Sequence, residues 1–127
     1  MASQVDGAAT KLIDPSTFVF PQPLISTTIT IEFCDRCRWL HRASWVQTEL
    51  FLTFPPPTIG TISLIPLHNE ETAGRFRVWL SIPDFDSPQL MWDRKAEGGF
   101  PELKVLKQRI RDQLQPEKSL GHSDKMA

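Results

Sequence analysis

The stretch Ile31-Glu32-Phe33-Cys34-Asp35-Arg36-Cys37-Arg38-Trp39-Leu40 decides the fold, because the side-chain period changes across it. Upstream, Ile25, Thr27, Ile29, Ile31 and Phe33 are apolar or β-branched at every second position, the pattern of a strand. Downstream, Trp39, Ala43, Val46 and Leu50 recur at i, i+4, i+7 and i+11, which aligns them on one face of a helix of about four turns. The spacing predicts a strand from Ile25 to Cys34, then a helix, with two cysteines at the junction. Pro55-Pro56-Pro57 must end that helix, since proline lacks the amide proton and clashes with the preceding turn.

Gly60 to Ile65 is rich in β-branched residues and reads as a second strand stopped by Pro66. Two strands joined by a helix make a right-handed parallel βαβ unit. After a polar loop from His68 to Gly74, the apolar Phe76, Val78 and Leu80 alternate with Arg75, Arg77 and Trp79 as a third strand. Ile82 to Pro88 reads as an inserted loop, and Leu90 to Trp92 as a short fourth strand. The last helix opens at Gly98-Gly99-Phe100-Pro101-Glu102, with Pro101 in its first turn and Glu102 facing its positive end. Leu103, Leu106, Ile110 and Leu114 form its apolar stripe, and Pro116 stops it.

The order is β-α-β-β-β-α, the core of an α/β, thioredoxin-like sandwich in a single domain. Residues 1–23 read as an irregular N-terminal arm, 24–116 as the domain and 117–127 as a C-terminal tail. A chain of 127 residues supports one core rather than two.

A formal net charge of -1 gives no overall pull toward nucleic acid or an anionic membrane. Basic residues of the last helix are diluted by Glu102, Asp112 and Glu117, so a solvated face is expected there and no nucleic-acid partner. Apolar runs are too short to span a membrane. The first residues lack a basic and apolar leader, with Lys11 beside Asp6 and Asp14, and the expected location is cytoplasmic.

Only Cys34 and Cys37 are available for thiol chemistry, and closing so short a loop would add little stability. The pair is therefore expected to be catalytic. At a strand-to-helix junction the sulfurs lie close enough to form a disulfide, while backbone N–H groups and the helix dipole favour a thiolate. Arg36 and Arg38 reinforce that tendency and Asp35 opposes it. Cys34, Cys37 and His41 would give only three of the four ligands that structural zinc requires, so neither a metal nor a bound cofactor is expected. With no third cysteine, turnover needs either an internal Cys34–Cys37 disulfide or an external thiol such as glutathione. The exposed thiol is the one expected to be more acidic. His41 is either a surface residue or a tuner of the leaving thiolate. Trp39 is expected in the core and Trp45 on a partly covered flank, while Trp79 stays open. Gly98 and Gly99 suit a turn needing positive φ better than an anion cradle.

The cysteine stretch resembles the opening of the selenoprotein W, T and H family (Rdx), in the form that carries cysteine for selenocysteine. Further resemblance lies in Phe76-Arg77-Val78, Trp92-Asp93-Arg94-Lys95, Gly98-Gly99-Phe100-Pro101-Glu102, Lys104 to Asp112 and Leu120-Gly121-His122-Ser123-Asp124, covering about residues 26–125. The resemblance implies a thioredoxin-like fold and a thiol-disulfide oxidoreductase linked to glutathione or peroxide handling. Glutathione or disulfide-containing proteins are its implied partners. The alternative it implies is a redox-sensitive interaction module that binds an adaptor protein without turnover. The family's selenocysteine position falls on Cys37, which points to Cys37 as the attacking group. Thioredoxin logic points instead to Cys34, and the residues leave both open. Where thioredoxin has a cis-proline facing its cysteines, this chain has Thr72-Ala73-Gly74-Arg75.

Overall fold

The computed structural model describes residues 14–17, 26–83 and 85–115. A strand persists only where it finds a partner, and four do so here. β1 (Thr28–Cys34) pairs in parallel with β2 (Thr61–Leu67) and antiparallel with β3 (Phe76–Ser81), which pairs antiparallel with β4 (Gln89–Asp93). The sheet order is β2-β1-β3-β4. Helix α1 (Leu40–Thr53) makes the crossover between the parallel strands, and α2 (Arg94–Glu97) and α3 (Leu103–Leu114) follow β4. This is a mixed four-stranded sheet with three helices, a single small α/β domain of thioredoxin-like build.

The period-two pattern loads one face. Ile29, Ile31 and Phe33 of β1, Ile62 of β2, and Phe76, Val78 and Leu80 of β3 share one buried cluster with Ala43, Val46 and Leu50 of α1. Leu106 and Ile110 of α3 complete it, with Leu103 and Leu114 packed at its margin. Both long helices therefore cover the same face. Lys107 Nζ ties α3 to α1 through Glu49 Oε1 at 3.0 Å, and Arg109 grips Glu97 with both terminal guanidinium nitrogens while Nη1 also donates to the Met91 carbonyl at 3.0 Å. Arg111 pairs with Asp112. The basic residues of the last helix thus spend much of their charge within the chain.

The other face carries Thr30, Glu32, Ile65, Trp79 and Ser81, which line a shallow recess with Pro88. Trp79 Nε1 donates to Glu32 Oε1 at 2.8 Å, and Arg75 and Arg77 stand within 4 Å of the same carboxylate. That settles the place of Trp79: it is half-buried on the uncovered face, held by its polar edge.

Several boundaries differ from the sequence pattern. Pairing starts at Thr28 opposite Thr61, so Ser26 and Thr27 precede the strand; Gly60 N–H closes the end by donating to the Thr27 carbonyl at 2.9 Å. Ile25 lies outside the described residues. β2 continues through Pro66 to Leu67, with Pro66 opposite Phe33. As an edge strand, β2 turns half of its backbone donors away from β1, so a missing N–H is tolerated there. Gln47 Nε2 of α1 caps the Ile62 carbonyl of the same strand at 3.0 Å.

Pro101 does not enter the last helix, which begins at Leu103 with Glu102 at its N-cap. The intervening α2 was not legible as a helix. Asp93 caps it by accepting from Lys95 N–H at 3.0 Å, and Gly98, at φ +83°, ends it in the left-handed conformation. The positive-φ reading holds for Gly98 and not for Gly99. Trp45 is exposed (57 %) rather than flank-covered. The loop from Ile82 to Pro88 is the hairpin connection between β3 and β4, and a bulge between Val78 and Trp79 shifts the register beside it. Of the arm over residues 1–23, only residues 14–17 are described, with a 3-10 turn at Pro15–Thr17. The rest of that arm, Pro116 and the tail over 117–127 lie outside the described residues.

Candidate functional site

Cys34 is the last residue of β1, and its backbone N–H donates to the Arg75 carbonyl at 2.9 Å. Asp35 N–H then donates to the Leu67 carbonyl at 2.7 Å, so the chain leaves the sheet with a bond to each neighbouring strand end. Residues 35–38 form a turn closed by Arg38 N–H on the Asp35 carbonyl at 2.9 Å. Arg38 sits at φ +62°, a left-handed conformation that costs a non-glycine residue roughly 1–2 kcal/mol. The kink at Arg38 sets the turn apart from α1, which starts only at Leu40 with Trp39 as its N-cap. Cys34 ends the strand as the sequence pattern predicts, but Cys37, expected in the first helical turn, lies in the separate turn before it.

The thiolate-stabilising amides come from elsewhere. The sulfurs lie 2.7 Å apart, with the Cys37 thiol donating to Cys34 Sγ. Cys34 is fully buried and Cys37 exposed. Burial pushes the Cys34 thiol up, but the hydrogen bond from Cys37 and the backbone N–H groups of Gly74, Cys37 and Arg36 outweigh it and hold Cys34 below the ordinary thiol value. Cys37 is raised, because its proton is held by Cys34 and because its surroundings shield it somewhat from water, with the Cys34 charge adding to both. Gly74 N–H and the charge of Arg94 act against that rise. The more acidic thiol is thus the buried one, not the exposed one.

Thr72-Ala73-Gly74-Arg75 does face the cysteines, as the sequence correspondence implies. Thr72 is buried and donates through Oγ1 to the Asn69 carbonyl, and Arg75 N–H closes the turn on the Thr72 carbonyl. Gly74, at φ +76°, presents its amide to both sulfurs; a side chain at that φ would be strained.

An aromatic floor lies nearby. Phe100 packs edge-on against Trp39 (centroids 4.8 Å) and Phe76 (5.5 Å), and the guanidinium of Arg94 stacks over Trp39 at 4.7 Å and over Phe100 at 5.1 Å. Arg42 covers Phe100 at 4.0 Å. Trp39 is half-buried and packs at the margin of the core rather than within it. Sequence reasoning missed Arg94 and Phe100 as parts of the site, whose only signal was their place in the spaced motifs, and it marked the Gly74 turn only by its correspondence to the thioredoxin cis-proline. Asp35, Arg36, Arg38, Leu40 and His41 line an open recess of about 660 Å³ on the outer side of the turn. His41 is exposed there and does not join the sulfurs in a ligand set. Among the described residues no three His, Cys, Asp or Glu side chains converge, and no helix is long and apolar enough to cross a membrane.

Comparison with known proteins places these features. The family model described as the Rdx family matches residues 28–112, which spans the sheet, the cysteine turn, the Gly74 turn and most of α3. A crystal structure of a Bordetella parapertussis protein is 40% identical, with a TM-score of 0.58, covering 70% of this chain and 99% of that one. A selenoprotein W-related protein from Vibrio cholerae is 38% identical at a TM-score of 0.58, covering 71% of this chain and 99% of that one. No curated protein matches.

Proposed function

The chain belongs to the Rdx family, and from that premise we propose that it is a thiol-disulfide oxidoreductase in which Cys37 attacks and Cys34 resolves. The observation that carries this reading is the asymmetry of the pair: one sulfur is exposed, the other is buried and anion-stabilised, and 2.7 Å separates them. A substrate disulfide reaches only the exposed sulfur. Cys37 attacks as its proton passes along the existing hydrogen bond to Cys34, giving a mixed disulfide on Cys37 and a free substrate thiolate. Cys34 then yields the proton to that thiolate, attacks Cys37 Sγ, and releases the second substrate sulfur. Two electrons have passed from the pair to the substrate, and the pair is left as the Cys34–Cys37 disulfide.

Glutathione is the proposed external reductant, with no bound cofactor. One glutathione thiolate opens the disulfide at Cys37, and a second displaces the first as oxidised glutathione, restoring both thiols. The low thiol value of Cys34 favours it as the leaving group in the first of these steps. A reducing compartment such as the cytoplasm suits this cycle.

The test is mass spectrometry after exposure to oxidised glutathione. Wild type should yield the internal disulfide, Cys34→Ser should hold a glutathione adduct on Cys37, and Cys37→Ser should react at least tenfold more slowly, in line with the burial of Cys34. A fast adduct on Cys34 in the Cys37→Ser protein would reverse the assignment.

A further inference from the structure

Arg94 is the residue whose environment the cycle above leaves unexplained. It opens α2, far along the chain from the cysteines, yet its guanidinium stacks on Trp39, which follows the cysteine turn, and on Phe100. Nη1 donates to the Gly74 carbonyl at 3.3 Å. Its Nε is buried with no hydrogen-bond partner among the described residues. A buried donor left unpaired is a cost, so the arginine is held in place by its stacking and by its remaining bond rather than by full satisfaction.

We infer that Arg94 is a positioning residue for the cysteine pair: packed against two mutually perpendicular rings, it grips the Gly74 carbonyl and so aims the Gly74 N–H at the sulfurs. The geometry explains why a planar cation stands here. Lying within about 5 Å of two ring centroids while a lateral N–H reaches a carbonyl needs the forked guanidinium; a lysine ammonium, one point charge, does not reproduce it. The Gly74 turn lies in van der Waals contact with the start of α2: a Cβ there would be 3.4 Å from Lys95 Cε and 3.8 Å from Arg94 Nη1. Two segments distant in sequence, the turn before β3 and the start of α2, are locked together where the cysteines need an amide.

Arg94 acts on the two sulfurs differently. On Cys37 it acts both through space, as a cation, and through Gly74; on Cys34 it acts through the Gly74 amide. The other charged groups around the pair are Asp35, Arg36 and Arg38 of its own turn, Lys95 of α2, Arg42 of α1, and Arg75, which is paired with Glu32. All of them stay in place in the variants below.

The inference rests on the pair being reactive thiols, not on turnover, so the readout is thiol acidity. Iodoacetamide alkylation is followed against pH for Cys34→Ser and Cys37→Ser proteins carrying Arg94, Arg94→Lys or Arg94→Met. With Arg94→Met, both remaining thiols should titrate higher by about half a unit, or roughly threefold slower at a fixed pH below the midpoint. Arg94→Lys should recover part of the shift at Cys37, where charge alone helps, and none at Cys34. Unchanged midpoints in folded Arg94→Met protein, or full recovery at both sulfurs by lysine, would overturn the inference. Should Arg94→Met fail to fold, Arg94→Lys against Arg94 decides alone: a rise at Cys34 supports it and no rise sinks it. Acid thiols without any turnover on oxidised glutathione would leave the positioning role standing and remove the oxidoreductase reading.

Discussion

The two faces of the sheet share every backbone hydrogen bond and almost nothing else. On the covered face, Ile31, Phe33, Phe76, Val78 and Leu80 are buried under α1 and α3. On the uncovered face their immediate neighbours Thr30, Glu32, Arg77, Trp79 and Ser81 stay in reach of water and are joined by polar contacts around Glu32. The difference teaches where the stability is stored. One face supplies the apolar burial that offsets chain entropy; the other is a polar surface whose pairs are each worth about 0–1 kcal/mol. The cysteines belong to neither. They sit at the strand end, where the covered core stops and the turns before β3 and after β1 meet.

The largest expected effect tests the comparison directly. Phe76→Ala should cost about 3–5 kcal/mol in urea unfolding, because it empties a fully buried ring site. Trp79→Ala, three positions along the same strand and so on the opposite face, half-exposed, should cost about 1–2 kcal/mol, made up of one hydrogen bond and partial burial. Equal costs would mean that the second face is also a core.

A smaller effect sharpens the separate status of the cysteine end. In the reduced protein Cys34 has a folded value below the ordinary thiol value, so its contribution is present above the ordinary value and lost as pH falls through the folded one. Cys37 is raised, so its contribution is present below the ordinary value and lost as pH rises through the raised one. Stability of the reduced form should therefore peak near the ordinary thiol value of about 8.5. The doubly substituted Cys34→Ser, Cys37→Ser protein should lack that peak in urea melts across the same pH range. A peak that survives in it would assign the titration to other groups. The smallest effect concerns the sheet's edge: Pro66→Val should change stability by no more than about 0.5 kcal/mol, since no ladder bond is lost or gained. A gain above 1 kcal/mol or so would show that proline strains β2.

Much of this molecule was legible from alternation alone. Ile29, Ile31 and Phe33 announce a strand, and Ala43, Val46 and Leu50 a helix, because burial on one face forces a fixed period on the side chains. The cysteine pair was legible from its place at the switch between the two periods. What stayed hidden depends on contacts between distant segments. Pro66 reads as a stop until β2 is known to be an edge. Arg38 gives no local sign of its left-handed turn, so the pattern alone puts Cys37 in the first turn of a helix that begins only at Leu40. Helix α2 has four residues, too few to show a period, and rests on the Asp93 cap and Gly98. Gly74 and Arg94 look unremarkable in the chain, since the amide one gives and the grip the other keeps exist only after the two turns meet.

Proline in the outer strand has one more consequence. A sheet edge is a template: a second chain in extended form docks by matching donors and acceptors in sequence, and one missing donor breaks the match. Pro66 removes a donor close to the cysteine end, and Gln47 occupies the Ile62 carbonyl nearer the other end, so β2 offers a docking chain only short, interrupted stretches. Strand-by-strand zippering of one molecule onto the next along this edge is thereby blocked at two points, which leaves the neighbourhood of the sulfurs to partners that approach by their side chains.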